Sequence, residues 1–229
     1  MLRPQGSPLL LGHRGARRYA PGNTLAAFDL ALEHGCDGFE FDVRLTRDAV
    51  PVLCHDARLA RRSIRRSSYA VLEERLARKA AAPPATLDDV LARYSRRAWL
   101  DIELKVAGLE QAVLDAIRRH GWTESFCVSS FRLRVIEELR ARDPLVPLGF
   151  LTDKRWRIGK WERYDTQVVI PHYRLLSRRL VEEVHAAGRL LVTWTVNSPR
   201  QMRRLADLGV DGIISDDTPL LCRTLGAVG

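Results

Sequence analysis

The stretch GFEFDVRLTRDAVPVLCHD, residues 38–56, decides how the rest of the chain is read. Its first half alternates, with Phe39, Phe41 and Val43 on one side and Glu40, Asp42 and Arg44 on the other. Strict alternation in a short run of β-formers predicts a strand, and here one face carries two carboxylates. The second half, 50–55, is a compact apolar run, and Arg47-Asp48 between the halves suits a turn. A hairpin about Arg47-Asp48 sets His55 opposite Glu40 and Leu53 opposite Asp42. Directly opposed side chains on an antiparallel pair share a face. One local unit is thus expected to bring two hard oxygen ligands and an imidazole to one patch. The plainer reading is an exposed hairpin with a solvated acidic face.

Upstream, the apolar run 8–13 (PLLLGH) reads as a buried strand that breaks into a loop at His13-Arg14-Gly15. Asn23 is expected to cap a helix with an apolar stripe of Leu25, Phe28 and Leu32, stopped by Gly35. Downstream, residues 57–82 are arginine-rich (Arg58, Arg61, Arg62, Arg65, Arg66) and then partly helical, ending at Pro83-Pro84. This segment is a short insertion, either a solvated face or a lip above an anionic substrate.

From Thr86 a regular rhythm sets in. Thr86 and Asp89 form a capping-box pattern for a helix to about Ser95. Strands are expected at 99–104, 125–129, 146–151, 167–170, 190–196 and 211–215. Helices are expected between them: 109–120; 131–142, capped by Ser130; 180–187; one begun by Ser198-Pro199 and ended at Gly209; and 220–225. An irregular segment with Trp156 and Trp161 follows the strand at 146–151. With 50–55 set aside as the return arm of a hairpin, eight strands remain, each followed by a helix or helix-like stretch. That pattern predicts an α/β fold, a (β/α)8 TIM barrel occupying 1–229 as one domain. A doubly wound sheet is the alternative, but no glycine-rich dinucleotide loop opens the first βα turn.

Composition narrows the partners. Lys+Arg 37 against Asp+Glu 28 leaves a formal +9, which favours an anionic partner. Aromatic content of 7% argues against a base-stacking surface, so no nucleic acid is expected. Cys36, Cys54, Cys127 and Cys222 lie far apart with no CxxC spacing and read as buried free thiols of a reducing compartment. The opening MLRPQGS is too short and polar for a secretory signal, and no apolar run approaches the ~20 residues of a membrane span. A cytoplasmic protein without stable membrane anchoring is expected.

In a barrel of this kind the active site lies at the C-terminal ends of the strands. His13 and Arg14 end the first strand, and Glu40 and Asp42 lie on the second with His55 on its arm. Asp101, Glu103 and Lys105 lie on the third. Ser129 and Ser130 end the fourth, Thr152-Asp153 the fifth, His172 follows the sixth, and Asp216 ends the eighth. Trp194 and Asn197, on and after the seventh, are candidate substrate contacts. Carboxylates without cysteine suit a hard divalent cation, Mg²⁺ or Ca²⁺ with Mn²⁺ admissible, better than zinc. Arg14 offers a bidentate fork for phosphate and Lys105 a point charge. Two histidines not needed as ligands fit a general acid and a general base. The set describes metal-assisted phosphoryl transfer on a diester.

The chain resembles the glycerophosphodiester phosphodiesterase family over nearly its whole length. The resemblance rests on HRG at 13–15, PGNTLAAF at 21–28, EFDVRLTRDAVPVLCHD at 40–56, TLDDVL at 86–91, DIELK at 101–105, SSF at 129–131, WTVN at 194–197 and GVDGIISD at 209–216. It implies a TIM barrel in which Glu40, Asp42 and Glu103 bind one divalent metal and His13 and His55 are acid and base. It also implies that Arg14 and Lys105 hold the phosphate of a small glycerophosphodiester, cleaved to glycerol 3-phosphate and an alcohol. The chain departs from the family at Pro21-Gly22-Asn23-Thr24, where Pro-Glu-Asn-Thr is usual, and after His55, where arginines replace a glycine-bearing pattern. A carboxylate at 22 would restrain Arg14, so glycine is expected to slow turnover and Gly22→Glu to restore it, unless another acid, Asp216 at the closing strand, fills that role. A lysophospholipase D-type activity is an alternative, with Trp156, Trp161 and Tyr164 as its apolar contacts. A non-catalytic anion-binding barrel is the alternative from a different class.

Overall fold

The computed structural model describes residues 7–121 and 125–226; residues 1–6, with most of the stretch read above as no secretory signal, lie outside these. Strand β1 (Leu9–His13) leads through helix α1 (Leu25–Glu33) to β2 (Gly38–Leu45), from which the chain folds back as the short β3 (Pro51–Leu53). The arginine-rich segment forms a two-stranded outgrowth, β4 (Arg58–Leu59) with β5 (Arg62–Ser63), and then helix α2 (Tyr69–Ala77). Helix and strand alternate from there: α3 (Leu87–Tyr94), β6 (Trp99–Leu104), α4 (Glu110–His120), β7 (Phe126–Ser130), α5 (Leu133–Arg142) and β8 (Leu148–Thr152). The rhythm continues through α6 (Arg155–Ile158), β9 (Val168–Pro171), α7 (Arg178–Ala186), β10 (Leu190–Thr193), α8 (Pro199–Asp207), β11 (Gly212–Ser215) and α9 (Thr218–Leu225).

The sheet runs β1-β11-β10-β9-β8-β7-β6-β2 and closes through β1–β2, so eight parallel strands form the expected barrel, with β3 antiparallel on β2. Alternation on β2 sorts its side chains. Phe39, Phe41 and Val43 point outward and meet the helices: Phe28 of α1 stacks on Phe39 at 4.1 Å, and Tyr94 of α3 meets Phe39 edge-on at 5.0 Å. Tyr94 is fully buried but keeps its hydroxyl satisfied by donating to Asp29 Oδ1 at 2.8 Å. The other face of β2 points into the barrel. There Gly38 leaves room for β6, since a Cβ at that position would lie 1.8 Å from the Trp99 carbonyl oxygen. Leu9, Leu11, Val168, Ile170, Val192 and Ile214 pack together as an apolar cluster of the barrel strands. Phe39→Ala removes the centre of the outer aromatic cluster. It is expected to cost about 3–5 kcal/mol, read as a lower urea midpoint at unchanged m-value.

Three local expectations are corrected. The β2–β3 ladder pairs Val43 with Leu53, Arg44 with Val52 and Leu45 with Pro51, one residue away from the register expected. The connecting loop has three residues rather than two: Thr46 N–H donates to the Val50 carbonyl at 3.1 Å and Ala49 takes φ 60. Such a loop, ending in a left-handed residue, is an ordinary hairpin connection, and it sets Leu53 with Val43 in the outer core. His55 therefore reaches the barrel mouth from beyond the ladder, its carbonyl held by Arg44 Nε and Nη2 at 3.0 and 2.6 Å.

The cap of α1 is Thr24, whose Oγ1 accepts from Ala27 N–H at 3.2 Å, and Asn23 has another task described below. Ser130 does not cap α5. It donates to the Leu104 carbonyl at 2.7 Å and accepts from Arg132 N–H, so it ties β7 to β6. The Thr86–Asp89 capping box forms as expected.

Candidate active site

A cavity at the C-terminal end of the barrel is lined by His13, Arg14, Glu40, His55, Asp101, Glu103, Lys105, Phe131, Leu151, Trp194 and Ile214. Of the nine residues given a catalytic, metal, phosphate or substrate role above, eight lie in or directly against it. Asp42 stands behind its neighbours, with ligand oxygens of Glu40, Asp42 and Glu103 all within 4.8 Å of one another. The register accounts for this: β2 and β6 pair Glu40 with Asp101 and Asp42 with Glu103, so four carboxylates on two adjacent strands face inward together. Asn197 is the exception. Its amide nitrogen donates to Asp216 Oδ2 at 2.7 Å, and its oxygen accepts from Ser215 Oγ and Asp216 N–H, so both ends serve the loop after β11.

The HRG turn is built to deliver Arg14. Arg14 takes φ 55 and Gly15 φ 77, and a Cβ on Gly15 would fall 2.6 Å from the backbone of Ala27 in α1. Only glycine fits that approach. The left-handed turn aims the Arg14 N–H at Glu40 Oε2 (3.0 Å), while Arg14 Nε lies 3.0 Å from Asp42 Oδ2. Asn23, itself at φ 61, grips Asp42 from the other side. Its Nδ2 donates to Asp42 Oδ2 at 2.8 Å and its Oδ1 accepts from Asp42 N–H at 3.0 Å. A non-glycine residue at positive φ stores strain, and here both such residues spend their polar groups on the carboxylate pair.

The electrostatics follow from burial and neighbours. Burial pushes the Glu40 carboxyl well above its ordinary value, and the charges of Asp42 and Glu103 push the same way. Asp101 is pushed up to about 7, chiefly by burial, against the hydrogen bond it accepts from Ser129 Oγ at 2.6 Å. Burial also raises Asp42, but Lys105 and Arg14 outweigh it and hold Asp42 below its usual range. The Lys105 ammonium lies 2.6 Å from Glu103 Oε1 and 3.2 Å from Asp42 Oδ1. Glu40 Oε1 is buried without a hydrogen-bond partner, and Asp42 Oδ1 faces only the Lys105 ammonium.

Each histidine has a carboxylate behind it. His13 Nδ1 lies 2.7 Å from Asp216 Oδ1, leaving Nε2 towards the cavity, 3.8 Å from Glu40 Oε2. Burial lowers the pKa of His13, against the opposing pull of Asp216. His55 Nδ1 lies 2.8 Å from Asp56 Oδ1, and His55 is the more open of the two. Asp216 and Asn23 are the positioning residues that sequence reasoning did not assign. In the sequence Asp216 reads as the end of the last strand and as an alternative restraint for Arg14, and Asn23 as a helix cap; in the structure Asp216 meets His13 and Arg17.

Arg14 is already held by Asp42, and a Cβ at Gly22 would lie 3.1 Å from Arg14 Cβ and 3.2 Å from Arg17 Cβ. Gly22→Glu is therefore expected to crowd both arginine stems, at about 1 kcal/mol, and to leave kcat/KM no higher than wild type. A clear rise in steady-state kcat/KM would restore the view that a missing carboxylate limits this chain.

The comparisons agree with this geometry. The sequence model of the glycerophosphoryl diester phosphodiesterase family matches residues 13–220. A glycerophosphodiester phosphodiesterase of Caldanaerobacter subterraneus subsp. tengcongensis is 30% identical over 234 residues, covering 93% of this chain and 96% of that protein. The crystal structure of the Thermotoga maritima glycerophosphodiester phosphodiesterase has a TM-score of 0.82 at 26% identity, covering 94% of this chain and 97% of that one. An Oleispira antarctica phosphodiesterase, solved in complex with the product sn-glycerol-3-phosphate, has a TM-score of 0.83 at 25% identity, covering 96% and 98%. A match that runs from the histidine ending β1 into the last helix takes in every charged residue of the cavity, and the chain belongs to the glycerophosphoryl diester phosphodiesterase family.

Proposed function

We propose that this protein hydrolyses small glycerophosphodiesters to glycerol 3-phosphate and an alcohol, with His13 and His55 as general base and acid. In this reading Glu40, Asp42 and Glu103 hold one divalent cation, Mg²⁺, Ca²⁺ or Mn²⁺, while Arg14 and Lys105 take the phosphate and Trp194 packs against the substrate. The observation that carries the reading is the meeting of two carboxylate-backed imidazoles with a buried cluster of carboxylates in one cavity. The donor set fits such a cation: all oxygens, all buried, and Glu40 Oε1 without a hydrogen-bond partner. When bound, the cation supplies Lewis-acid polarisation of a phosphoryl oxygen.

The chain's own residues divide the proton work. His13, with its pKa lowered by burial, is neutral near pH 7, and its Nδ1–H donated to Asp216 leaves a lone pair on Nε2. It takes the proton of the glycerol 2-hydroxyl as that oxygen bonds to phosphorus. His55, steadied by Asp56, gives a proton to the leaving alcohol oxygen as its bond to phosphorus breaks. Water then opens the cyclic phosphate, with the two roles reversed. The Arg14 fork and the Lys105 ammonium neutralise phosphate charge in a site closed on one side by Phe131, Leu151 and Ile214. A cytoplasmic setting belongs to the same proposal and rests on the unbridged Cys54 and Cys127; Cys36 Sγ, by contrast with the expectation that the cysteines lie far apart, is 3.7 Å from Cys222 Sγ.

The test is glycerol 3-phosphate release from a panel of glycerophosphodiesters differing in the alcohol. Release from at least one is expected; release from none, by protein shown to be folded, would return the chain to the anion-binding alternative.

A further inference from the structure

Trp156 lies on α6, in the segment that leaves the C-terminal end of β8 and so on the catalytic end of the barrel. It is 63% exposed, whereas Trp161 five residues on is buried at 3%. No packing explains an indole so far in solvent, and its surroundings are cationic: Arg157 Cζ and Lys160 Nζ each lie 5.1 Å from its ring centroid. Arg155 stands exposed beside it, and so does Lys154, whose ammonium pairs with Asp153 Oδ2 at 2.9 Å. Arg157 joins this surface to the cavity, since its Nη1 donates to the carbonyl of Phe131 at 2.7 Å and Phe131 lines the cavity wall. On the other side of the mouth, three residues after His55, the β4–β5 outgrowth carries Arg58, Arg61 and Arg62 exposed. Its tip, Ala60-Arg61, has φ 47 and 66, a turn that favours glycine, held here by residues with side chains.

We propose that the catalytic mouth docks reversibly on an anionic bilayer surface, with Trp156 seated in the headgroup layer and the surrounding arginines and lysines facing anionic lipid. An indole with one apolar body and one polar N–H is at home at that interface, and clustered Lys and Arg are drawn to anionic headgroups. Nucleic acid fits the surface less well, because one exposed Trp gives no row of stacking platforms. No helix among the described residues is long and apolar enough to cross a membrane, so the attachment is peripheral. The chemistry gives docking a use that rests on the proposed activity. A glycerophosphodiester is a glycerophospholipid stripped of its acyl chains, so the reaction that supplies it is a deacylation of lipid.

The experiment is co-sedimentation of the full chain at low salt with vesicles of mixed phosphatidylglycerol and phosphatidylcholine, against vesicles of phosphatidylcholine alone. Wild type is expected in the pellet only with anionic vesicles. Trp156→Ala and, separately, the double variant Arg155→Glu/Lys160→Glu are each expected to cut the bound fraction about tenfold. Both variants should hydrolyse soluble glycerophosphocholine at the wild-type rate. Wild type left in the supernatant, binding equal on neutral vesicles, or both variants binding as wild type would each overturn the proposal. So would tighter binding to a single-stranded oligonucleotide than to anionic vesicles. Sedimentation is read without turnover, so failure of docking and failure of the active-site reading are told apart.

Discussion

His13→Ala is expected to lower kcat by ~10²–10⁴-fold, the usual contribution of a positioned general acid or base, with metal content unchanged. The expectation rests on three features of the residue. It ends β1 with Nε2 towards the cavity, its other nitrogen is committed to Asp216 at 2.7 Å, and burial keeps it neutral near pH 7. A neutral, oriented imidazole whose partner stabilises its protonated form is suited to take a proton in the rate-determining step. His55→Ala is expected to fall in the same range, because a poor alkoxide leaving group needs its proton. The double variant should be little worse than either single, as expected for groups that act as a unit. Elemental analysis separates acid–base work from ligation: if His55→Ala loses its metal, His55 is a ligand and the division of roles is wrong. His172→Ala supplies the control. His172 packs edge-on against Trp194 at 5.1 Å and its Nδ1 accepts from Arg174 N–H, so its loss should disturb a loop rather than a proton transfer. Equal damage from His172→Ala would reassign the acid–base pair.

What sequence reveals here depends on how locally each contact is encoded. The eight strands were legible because alternation and glycine stops are properties of a few neighbouring residues. Glu40, Asp42 and Glu103 were legible because a carboxylate on the buried face of a strand breaks the pattern around it. The hairpin register was missed by one residue, since Ala49 carries nothing that marks it as left-handed. Asp216 was counted at the rim, but its task was hidden because its partner His13 lies 203 residues away and only barrel closure brings β1 beside β11. Asn23 was misread for a different reason. Its side chain suits a helix cap, and the capping need of α1 is met one residue later by Thr24. That frees Asn23 to hold Asp42 across 19 residues. Asn197 lies at the rim as expected, yet its amide is spent on Asp216, which makes it a support for that carboxylate rather than a lining residue.

Removing the divalent cation should have an effect as large as removing a histidine. Lewis-acid stabilisation of a phosphoryl transfer is worth several kcal/mol, and at about 1.4 kcal/mol per tenfold this is at least ~10²-fold in kcat. Activity should vanish in chelator and return on adding Mg²⁺, Ca²⁺ or Mn²⁺. The protein's own charges are what favour a cation there. In and behind the cavity wall Glu40, Asp42, Asp101 and Glu103 are all buried, and burial with mutual repulsion drives Glu40, Asp101 and Glu103 above their ordinary range. Lys105 answers part of that charge through Glu103 and Asp42, but Glu40 Oε1 has no hydrogen-bond partner. A carboxylate held in this way costs stability that a ligated cation restores. Two readouts besides activity follow. Asp42→Asn, which can keep its hydrogen bonds with Asn23, should bind metal more weakly in calorimetry while melting near wild type. Glu40→Gln should bind metal weakly too, yet in chelator it should melt no lower than wild type, because it removes a charge that burial disfavours and keeps an acceptor for Arg14 N–H. Full activity in chelator, with no metal retained by elemental analysis, would sink the metal site. A Glu40→Gln protein that melts well below wild type in chelator would show that Glu40 serves the fold of the barrel mouth rather than a cation.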